Sequence, residues 1–464
     1  MREIVSVQIG QCGNQIGEKF WETICIDHQI PLDGKISQQA LSDPREDILK
    51  PRGKYEVYFK EIGTYGGSEV QFVPRSVLVD MEPGVLDSIR GGKLRDLFKP
   101  DHMLNGQDGS CNNWAKGYLH QGGEYIEQTM EIIRRECESC DCIQAFQLAH
   151  SVGGGTGSGF GSLLLCRLYD EFPDILLMNA SVLPSTQVSD VVVEPYNTIL
   201  SLAYLVDYSN GVFCIDNEAL YKICMNKLKV ERINYINYYS TLGGATTSLR
   251  YPGQLNSDVR KLSVNMVPFP RLHFYMTGLS PLVHDYVKPY LKNDIAEVTR
   301  DLFEPSNMLC DCDPRSGRYL TFAAIYRGQT NTREIEETIM NFQNKNSSSF
   351  VEWIPHNAKV ASCDVPLKGR GLKATFIANN TSIQNILRRS RDRYFKMMKR
   401  KAFLHWYTAQ GMEELQFMEA EANIVDIISE YEQYTHVPVD DDIPSEFCEL
   451  EDSLEELDSG FGGL

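Results

Sequence analysis

The sequence predicts an α/β protein with a doubly wound, mostly parallel sheet, a smaller second α/β unit and a C-terminal helical hairpin. In the first half, short apolar runs are bounded by Gly, Pro or Asp, and most are followed by helix-like sequence. Strands that alternate with helices form parallel sheets, and such sheets bind ligands at the carboxyl ends of their strands. A helix is predicted over residues 14–24. The predicted strands are residues 4–9, 77–81, 143–150, 176–183 and 212–215.

The second half predicts a further α/β unit followed by two long helices. A helix is expected at 254–267, after a glycine-rich stretch. The two C-terminal helices, 383–400 and 411–434, are joined by the aromatic segment AFLHWYTAQ, and apolar residues recur at helical spacing in the second of them, as expected for a packing face. The strands predicted between these helices are residues 273–278, 319–326, 350–354 and 373–377.

Composition and charge restrict the class of function. The chain has 464 residues, 42% hydrophobic and 23% charged, which fits a soluble protein of two or three domains. It has neither a signal peptide nor an apolar run of the roughly 20 residues that a membrane span needs, so we expect a cytosolic protein without a membrane partner. The net charge of −18 argues against nucleic acid as a partner.

The C-terminal end is acidic. From Asp440 onwards there are ten acidic residues and no Lys or Arg. This composition predicts a disordered tail, which either keeps the chain soluble or attracts basic partners.

The 13 cysteines predict reduced thiols rather than disulfides, because their number is odd and the chain is large enough to fold without them. Cys137, Cys140 and Cys142 are close in sequence, but the chain supplies no second CxxC or suitably spaced His to complete a zinc site. We therefore expect buried thiols there.

A glycine-rich segment, HSVGGGTGSG, follows the predicted strand 143–150 and precedes a predicted helix. Five of the seven residues from Gly153 to Gly159 are glycine, so backbone N–H groups can turn towards an anion, and the helix dipole adds positive charge. Thr156 and Ser158 can donate hydroxyl hydrogen bonds. A purely structural loop is the alternative. Neither the GxxxxGK[ST] nor the GxGxxG spacing occurs here, so both common phosphate-loop families are excluded.

These motifs together resemble the tubulins. The matching strings are IGQCGNQIG, VDMEPG, NNWAKG, GGGTGSG, VVVEPYN, IDNEALY, PGQLN, NMVPFPRLHF, NKNSSSFVEWIP and RKAFLHWYT. The resemblance runs from Met1 to about Tyr434, and MREI, NKNSSSFVEWIP and AFLHWYT are similar to the β type. It implies that the chain binds GTP or GDP with Mg²⁺.

The resemblance also implies which residues hold the nucleotide. Residues of the first loop would contact the phosphates, with Gln11 and Glu82 at the metal and Asp80 near the γ-phosphate. The loop 109–112 would close over the γ-phosphate, although the usual β pattern has Ala-Gly where Ser110-Cys111 stand. The expected phosphate-site residues are Gly10, Gln11, Cys12, Gln15, Asp80, Glu82, Gly109, Asn112, Ser151, Gly153, Gly154, Gly155, Thr156 and Gly157.

The same resemblance assigns Asp190 and Glu194 to the ribose and Asn217 to the guanine edge. Counting forward from Asn217 places Tyr235 on the base as a stacking residue. Counting back from PGQLN leaves the segment about four residues short, so Asn237 is an alternative hydrogen-bonding partner of the base. Core packing is the other interpretation of Tyr235 and its neighbouring tyrosines.

Other departures from the family concern assembly. The loop at about residues 29–71 is longer than usual, and the tail lacks a dense Glu run. The segment 283–294, which corresponds to the lateral-contact loop and taxane pocket, has little of the usual β sequence. The expected domains are 1–218 (GTP binding), 219–268 (central helix and connecting loop), 269–382 (intermediate), 383–436 (C-terminal helices) and 437–464 (acidic tail).

The leading hypothesis is a β-type structural subunit of microtubules that pairs with α-tubulin, with neighbouring tubulins as filament partners and microtubule-associated proteins bound through the tail. It would act in the cytoplasmic cytoskeleton, including a cilium or spindle. The chain would supply no catalytic residue for its own GTP, because the docking α subunit provides the Glu. The alternatives are a non-polymerising or specialised GTP-binding regulator and a Rossmann oxidoreductase. The missing GxGxxG argues against the latter.

Asp258 and Lys261 would face the nucleotide of the neighbouring subunit. In α-type chains a Glu on this helix orients the attacking water, and Lys261 corresponds to it here. An ammonium cannot accept the water's proton, but it can pair with phosphate charge. A solvated surface charge is the alternative interpretation of Lys261.

Overall fold

The computed structural model describes residues 2–37, 51–63, 69–185, 189, 191–229, 243–251, 258–282, 294–366 and 371–436. The strands are β1 Glu3–Ile9, β2 Lys35–Ser37, β3 Phe59–Gly63, β4 Glu69–Pro74, β5 Ser76–Asp80, β6 Met103–Asn105, β7 Ile143–Ser151, β8 Leu176–Leu183, β9 Gly211–Asp216, β10 Phe274–Ser280, β11 Tyr319–Arg327, β12 Ala358–Cys363 and β13 Lys373–Asn380. The helices are α1 Gly10–His28, α2 Pro83–Gly91, α3 Gln121–Glu138, α4 Gly161–Glu171, α5 Glu194–Tyr208, α6 Asn217–Lys222, α7 Thr247–Arg250, α8 Val259–Met266, α9 Ile295–Leu302, α10 Thr332–Lys345, α11 Gln384–Met398, α12 His405–Thr408 and α13 Glu414–His436.

One ten-stranded sheet organises the described part of the chain, in the order β12-β11-β13-β10-β9-β8-β7-β1-β5-β6. Its pairs are parallel from β10 through β6, and β13 is antiparallel to both neighbours, β10 and β11. A doubly wound, mostly parallel sheet is therefore observed, as the sequence predicts. The strands of the second unit extend the first sheet because β10 pairs in parallel with β9. The predicted domain boundaries stay a prediction.

Both faces of the central strands are covered by helices. Every residue of β1, β5 and β9 is buried. Alternate residues point to opposite faces, so Val5 and Val7 join one apolar cluster while Ile4 joins the other. Full burial explains why these strands appear in the sequence as continuous apolar runs.

The C-terminal helices form the predicted hairpin, and both α11 and α13 pack against α5. The first of them, predicted at 383–400, spans Gln384–Met398. The second begins at Glu414 rather than at 411, where Gly411 has a φ of +92°. No helix among the described residues is long and apolar enough to span a membrane.

The strand predicted at 350–354 is wrong. Phe350 makes one isolated bridge to Tyr319, and the edge strand of the sheet is β12, at Ala358–Cys363. Phe350 and Val351 are buried all the same, and Phe350 stacks on Tyr319 with a centroid separation of 5.4 Å, whereas Trp353 and Ile354 are partly buried. Burial in a turn and burial in a strand give the same apolar signal over five residues.

Other predicted elements differ in length or lie partly outside the described residues. The helix predicted at 14–24 extends over Gly10–His28. Of the helix predicted at 254–267, the described portion is helical over Val259–Met266. Within the extended loop at 29–71, three short strands form an antiparallel sheet in the order β2-β4-β3.

Candidate nucleotide-binding site

The loops that carry the predicted site residues lie at the carboxyl ends of neighbouring parallel strands. β1 lies between β5 and β7, with Ile9 opposite Val79 and Gln8 opposite Ala149. The loops after these strands therefore meet at one edge of the sheet, where doubly wound proteins bind their ligands.

The first loop is the tight turn from β1 into α1. Gly10 has a φ of +73°, and a Cβ there would lie 3.0 Å from the backbone nitrogen of Gly157, so the turn packs directly on the glycine-rich loop. Asn14 holds this turn, since its Nδ2 donates to the carbonyls of Gly10 (2.9 Å) and Val79 (3.1 Å). No acidic side chain occupies the first turn of α1, so its N-terminal dipole is available to an anion.

Three further predicted phosphate-site residues follow Gly10 on the first two turns of α1. Gln11 and Gln15 are exposed, and Cys12 is partly buried. Burial raises the pKa of the Cys12 thiol to about 12, so it is protonated at neutral pH and acts as a neutral group.

The glycine-rich loop connects β7 to α4 through a π-helical turn at Thr156–Phe160. A Cβ on Gly155 would lie 2.7 Å from the Cβ of Ser110 and 2.8 Å from the nitrogen of Asn113. Only glycine allows this close approach of the 109–112 loop and the adjoining Asn113. Thus the structure brings Gly153–Gly157 and the 109–112 loop together, as the sequence predicts.

Ser158 is not available to a phosphate. It is fully buried, and its hydroxyl donates to the carbonyls of Gly154 and Gly155. The expectation that Ser158 donates to the ligand is therefore wrong. The π-helical turn directs its side chain back onto the loop, where it stabilises the backbone.

His150, near the end of β7, holds the glycine-rich loop by a hydrogen bond. Its Nδ1 lies 3.0 Å from the carbonyl oxygen of Gly157, and its Nε2 lies 3.0 Å from the hydroxyl of Ser181. Burial lowers the pKa of His150 to about 4. The imidazole is therefore neutral at pH 7, with Nδ1–H donating to Gly157 and Nε2 accepting from Ser181.

The acidic pair after β5 suits a hydrated cation. Asp80 is 3% exposed, and burial raises its pKa to about 6. One of its oxygens accepts the Glu82 amide at 3.4 Å, and the other, Oδ2, is buried without a hydrogen-bond partner among the described residues. Glu82 is exposed and lies against Gly109, where an added Cβ would stand 2.1 Å from its Oε1.

These two carboxylates fit Mg²⁺ held largely by water and phosphate. Among the described residues, no group of three or more His, Cys, Asp or Glu side chains could hold a metal by itself. Mg²⁺ is commonly bound by one or two carboxylates together with substrate phosphates and waters. The unpaired oxygen of Asp80 is an acceptor that such a water shell would satisfy.

The cysteine cluster is less buried than expected. Cys137 and Cys140 are partly buried and Cys142 is exposed, while Arg75 donates to the sulfur of Cys140 at 3.2 Å. All twelve described cysteines are free thiols. The prediction of reduced thiols is thus confirmed for them, whereas the expected burial of Cys142 is wrong.

Asn197 joins three parts of the site and was not singled out by its sequence. It is completely buried, and its Nδ2 donates to the carbonyls of Asn112 (2.8 Å) and Gly153 (2.9 Å). Its Oδ1 accepts from the Trp114 amide (3.1 Å) and the Tyr407 hydroxyl (2.7 Å). One asparagine thereby uses all four hydrogen-bonding positions to connect the two loops with α12.

The sequence feature that could have identified Asn197 as a site residue is its position in the VVVEPYN motif. It lies three positions after Glu194, so both face the same side of α5. Glu194 is the first residue of that helix, and its Oε1 would lie 2.6 Å from a Cβ on Gly153. Burial raises the pKa of Glu194, although a hydrogen bond from Ser189 opposes the shift.

The base-recognition residues are only partly described. Asn217 is partly buried at the start of α6, directly after Asp216, whose carboxylate caps the helix by accepting the Glu218 amide at 2.9 Å. Asp190, Tyr235 and Asn237 lie outside the described residues.

The two residues assigned to a neighbouring subunit's nucleotide differ in exposure. Asp258 is buried and forms an ion pair with Arg2, just before α8 begins. Lys261 is exposed on α8. Their roles towards a neighbour stay predictions.

Two family models match the chain. The model described as the Tubulin/FtsZ family, GTPase domain matches residues 3–225, and the Tubulin C-terminal domain matches residues 270–392. The chain is also 52% identical to the tubulin beta-6 chain of Gallus gallus over 444 residues, which cover 95% of this chain and 97% of that protein. The chain therefore belongs to the tubulin family and is of the β type.

Proposed function

We propose that this chain is a structural subunit of microtubules that binds GTP, pairs with α-tubulin and has its GTP hydrolysed when the next α subunit docks. One observation carries the proposal: the β1–α1 turn, the Asp80–Glu82 loop, the 109–112 loop and the glycine-rich loop converge at one edge of the sheet. The similarity of the chain to the tubulin beta-6 chain and its match to the Tubulin/FtsZ GTPase domain agree with this arrangement.

The bound ligand is GTP or GDP with Mg²⁺. Backbone N–H groups of Gly10 and of Gly153–Gly157 and the α1 dipole are suited to the phosphates. Gln11, Glu82 and Asp80 are suited to the metal with its waters. When bound, Mg²⁺ would supply positive charge that offsets the charge of the phosphates. Gln15, Ser151 and Thr156 flank the phosphates, Asp190 and Glu194 hold the ribose, and Asn217 with Tyr235 holds the base.

Hydrolysis of this chain's GTP depends on assembly because the docking partner supplies the Glu, while this chain presents only a cation to the nucleotide of its neighbour. Lys261 is exposed on α8. An ammonium can pair with phosphate oxygens but cannot accept a proton from water. This chain would thus stabilise its partner's GTP without cleaving it, and it depends on the partner's Glu for cleavage of its own.

The filament neighbours are further tubulins, and basic microtubule-associated proteins would bind the acidic tail. The site of action would be the cytoplasmic microtubule cytoskeleton. The tail and the lateral segment 283–293 lie outside the described residues.

A sedimentation experiment tests the proposal. The full-length chain is mixed with α-tubulin and GTP, and polymer is collected by centrifugation, with GDP as the control nucleotide. We expect GTP-dependent co-sedimentation of both chains in a one-to-one ratio. A chain that binds GTP but stays in the supernatant, and blocks or leaves unchanged the assembly of other tubulins, is instead the GTP-binding regulator.

A further inference from the structure

The loop at residues 108–112 is held in place by side chains from the following helical segment. The Nε2 of Gln121 donates to the carbonyl of Asp108 at 2.9 Å. The ammonium of Lys116 donates to the carbonyl of Gly109, also at 2.9 Å. Both φ angles of Cys111 and Asn112 are positive, at +50° and +55°. The loop thus has a fixed, unusual backbone.

Ser110 connects this loop to the glycine-rich loop. It is 3% exposed. Its Oγ lies 2.5 Å from the Oε1 of Gln121 and 2.8 Å from the Oγ1 of Thr156. Thr156 is flanked by Gly155 and Gly157, so Ser110 contacts the centre of the loop to which we assign the phosphates.

The number of available protons determines which group donates in each of these hydrogen bonds. The amide of Gln121 uses its Nε2 for Asp108, so its Oε1 faces Ser110 and can only accept. Ser110 has one hydroxyl proton and must donate it to Gln121. The contact between Ser110 and Thr156 then takes its proton from Thr156. The hydrogen bonds therefore run in one direction, from Thr156 through Ser110 to Gln121.

We propose that Ser110 is a positioning residue that holds the 108–112 loop closed against the glycine-rich loop and thereby raises the preference of the site for a nucleoside triphosphate over the diphosphate. The inference rests on the proposed function, in which this loop contacts the terminal phosphate. A loop that is already closed loses little conformational freedom when that phosphate binds. A diphosphate lacks that terminal phosphate, so its affinity should depend less on the closure.

The position distinguishes this chain from the usual β pattern, which has Ala where Ser110 stands. An alanine cannot receive the Thr156 proton or donate to Gln121. The Ser110→Ala variant therefore restores the usual residue and removes both hydrogen bonds of Ser110, the one that joins the two loops and the one to Gln121.

The test measures the dissociation constants of GTP and GDP for the purified full-length chain by competition with a fluorescent guanine nucleotide. In Ser110→Ala we expect GTP to bind about fivefold more weakly, the value of one hydrogen bond, and GDP to change less than twofold. Gln121→Met removes the acceptor at similar volume together with the hydrogen bond to the Asp108 carbonyl, so its selective loss should be at least as large. The double variant should bind GTP no more weakly than Gln121→Met alone, because Ser110→Ala breaks the same chain of hydrogen bonds a second time.

Ser162→Ala is the matched control. Its hydroxyl is also buried and donates to the carbonyl of Ser158 at 2.7 Å, but it does not contact the 108–112 loop. Its GTP-to-GDP ratio should equal that of the wild type. Equal losses for GTP and GDP in Ser110→Ala and Gln121→Met, or no loss in either, would overturn the inference while leaving GTP binding intact. A wild-type chain that binds neither nucleotide would instead overturn the proposed function.

Discussion

At the scale of single residues, buried polar side chains fix the loops of the site. Asn197 uses four hydrogen-bonding positions and His150 uses two, all with groups that are themselves in or beside the phosphate-binding loops. The cost of leaving a buried donor or acceptor unpaired is about 1–3 kcal/mol. Substitutions here should therefore alter nucleotide binding although neither side chain is assigned to the ligand.

Asn197→Ala should lower the free energy of unfolding by about 2–4 kcal/mol and weaken GTP binding, because the Trp114 amide and the carbonyls of Asn112 and Gly153 lose their partner. Thermal unfolding and GTP titration measure the two effects. Asn423→Ala is the control, since that asparagine bonds Asp207 on the far part of α5. GTP affinity equal to that of the wild type would contradict the role given to Asn197.

His150 predicts a pH dependence. Its pKa is lowered to about 4 in the folded chain from the usual value near 6.5, so the unfolded chain binds a proton first as the pH falls. The stabilisation by neutral His150 is complete above pH 6.5 and is lost as the pH falls towards 4. It amounts to about 3 kcal/mol at most.

The comparison that isolates this effect is between wild type and His150→Gln. Their difference in melting temperature should be largest at pH 7 and should shrink between pH 6.5 and pH 4. A difference that is constant across this range would show that His150 does not titrate as expected.

At the scale of elements, a buried ionic cluster joins the end of α1, the end of α7 and the end of β11. Asp27 accepts from Arg250 at 2.5 Å and from Arg327 at 2.8 Å, and both guanidiniums are buried. Both also lie over the ring of Tyr251, at 5.4 and 5.2 Å. Burial alone would raise the pKa of Asp27, but the two guanidiniums outweigh it and hold that pKa well below its usual range.

Asp27→Asn should lower the free energy of unfolding by about 3–5 kcal/mol, because it leaves two buried guanidiniums without their counter-charge. Chemical denaturation of the full-length chain measures the loss. Glu337→Gln removes one member of an exposed pair with Arg333 and should leave the midpoint unchanged. Equal stability of Asp27→Asn and wild type would show that the cluster does not hold the three elements together.

At the scale of the whole molecule, one continuous sheet connects the nucleotide edge with the second unit. β9 ends at Asp216, directly before Asn217 at the start of α6, and it pairs directly with β10. α8 contacts both β7 and β11, so it spans the two units. The helix α8, on which Lys261 is exposed, therefore packs against strands from both parts of the chain.

Lys261→Glu should make the normally stable GTP of the partner subunit hydrolysable, because a carboxylate can accept a proton from the attacking water. Phosphate release per partner nucleotide in copolymer with α-tubulin measures this. Asn265→Glu adds the same charge to an exposed position one turn later on α8 and should have no effect. Rapid GTP hydrolysis by the isolated wild-type chain would refute dependence on assembly.

The sequence by itself determined the central strands and the glycine-dependent loops to which we assign the phosphates. Strands that are buried on both faces require continuous apolar runs, which can be seen in the sequence. The close approach of neighbouring backbone to Gly10 and Gly155 requires glycine, so these loops can also be recognised from their own residues. The assignment of the remaining nucleotide residues comes from family resemblance, which compares whole motifs rather than local preferences, and it stays a prediction.

Only the tertiary structure decided how these local pieces are joined. It placed the edge strand at Ala358–Cys363, turned the Ser158 hydroxyl inward, continued one sheet through both units and brought Asn197 against loops 44 and 85 positions away. The residue type at a buried polar position depends on the groups that surround it in the folded protein. Nothing in its own segment specifies those groups, because their energies depend on distances between parts of the chain that meet only in the folded protein.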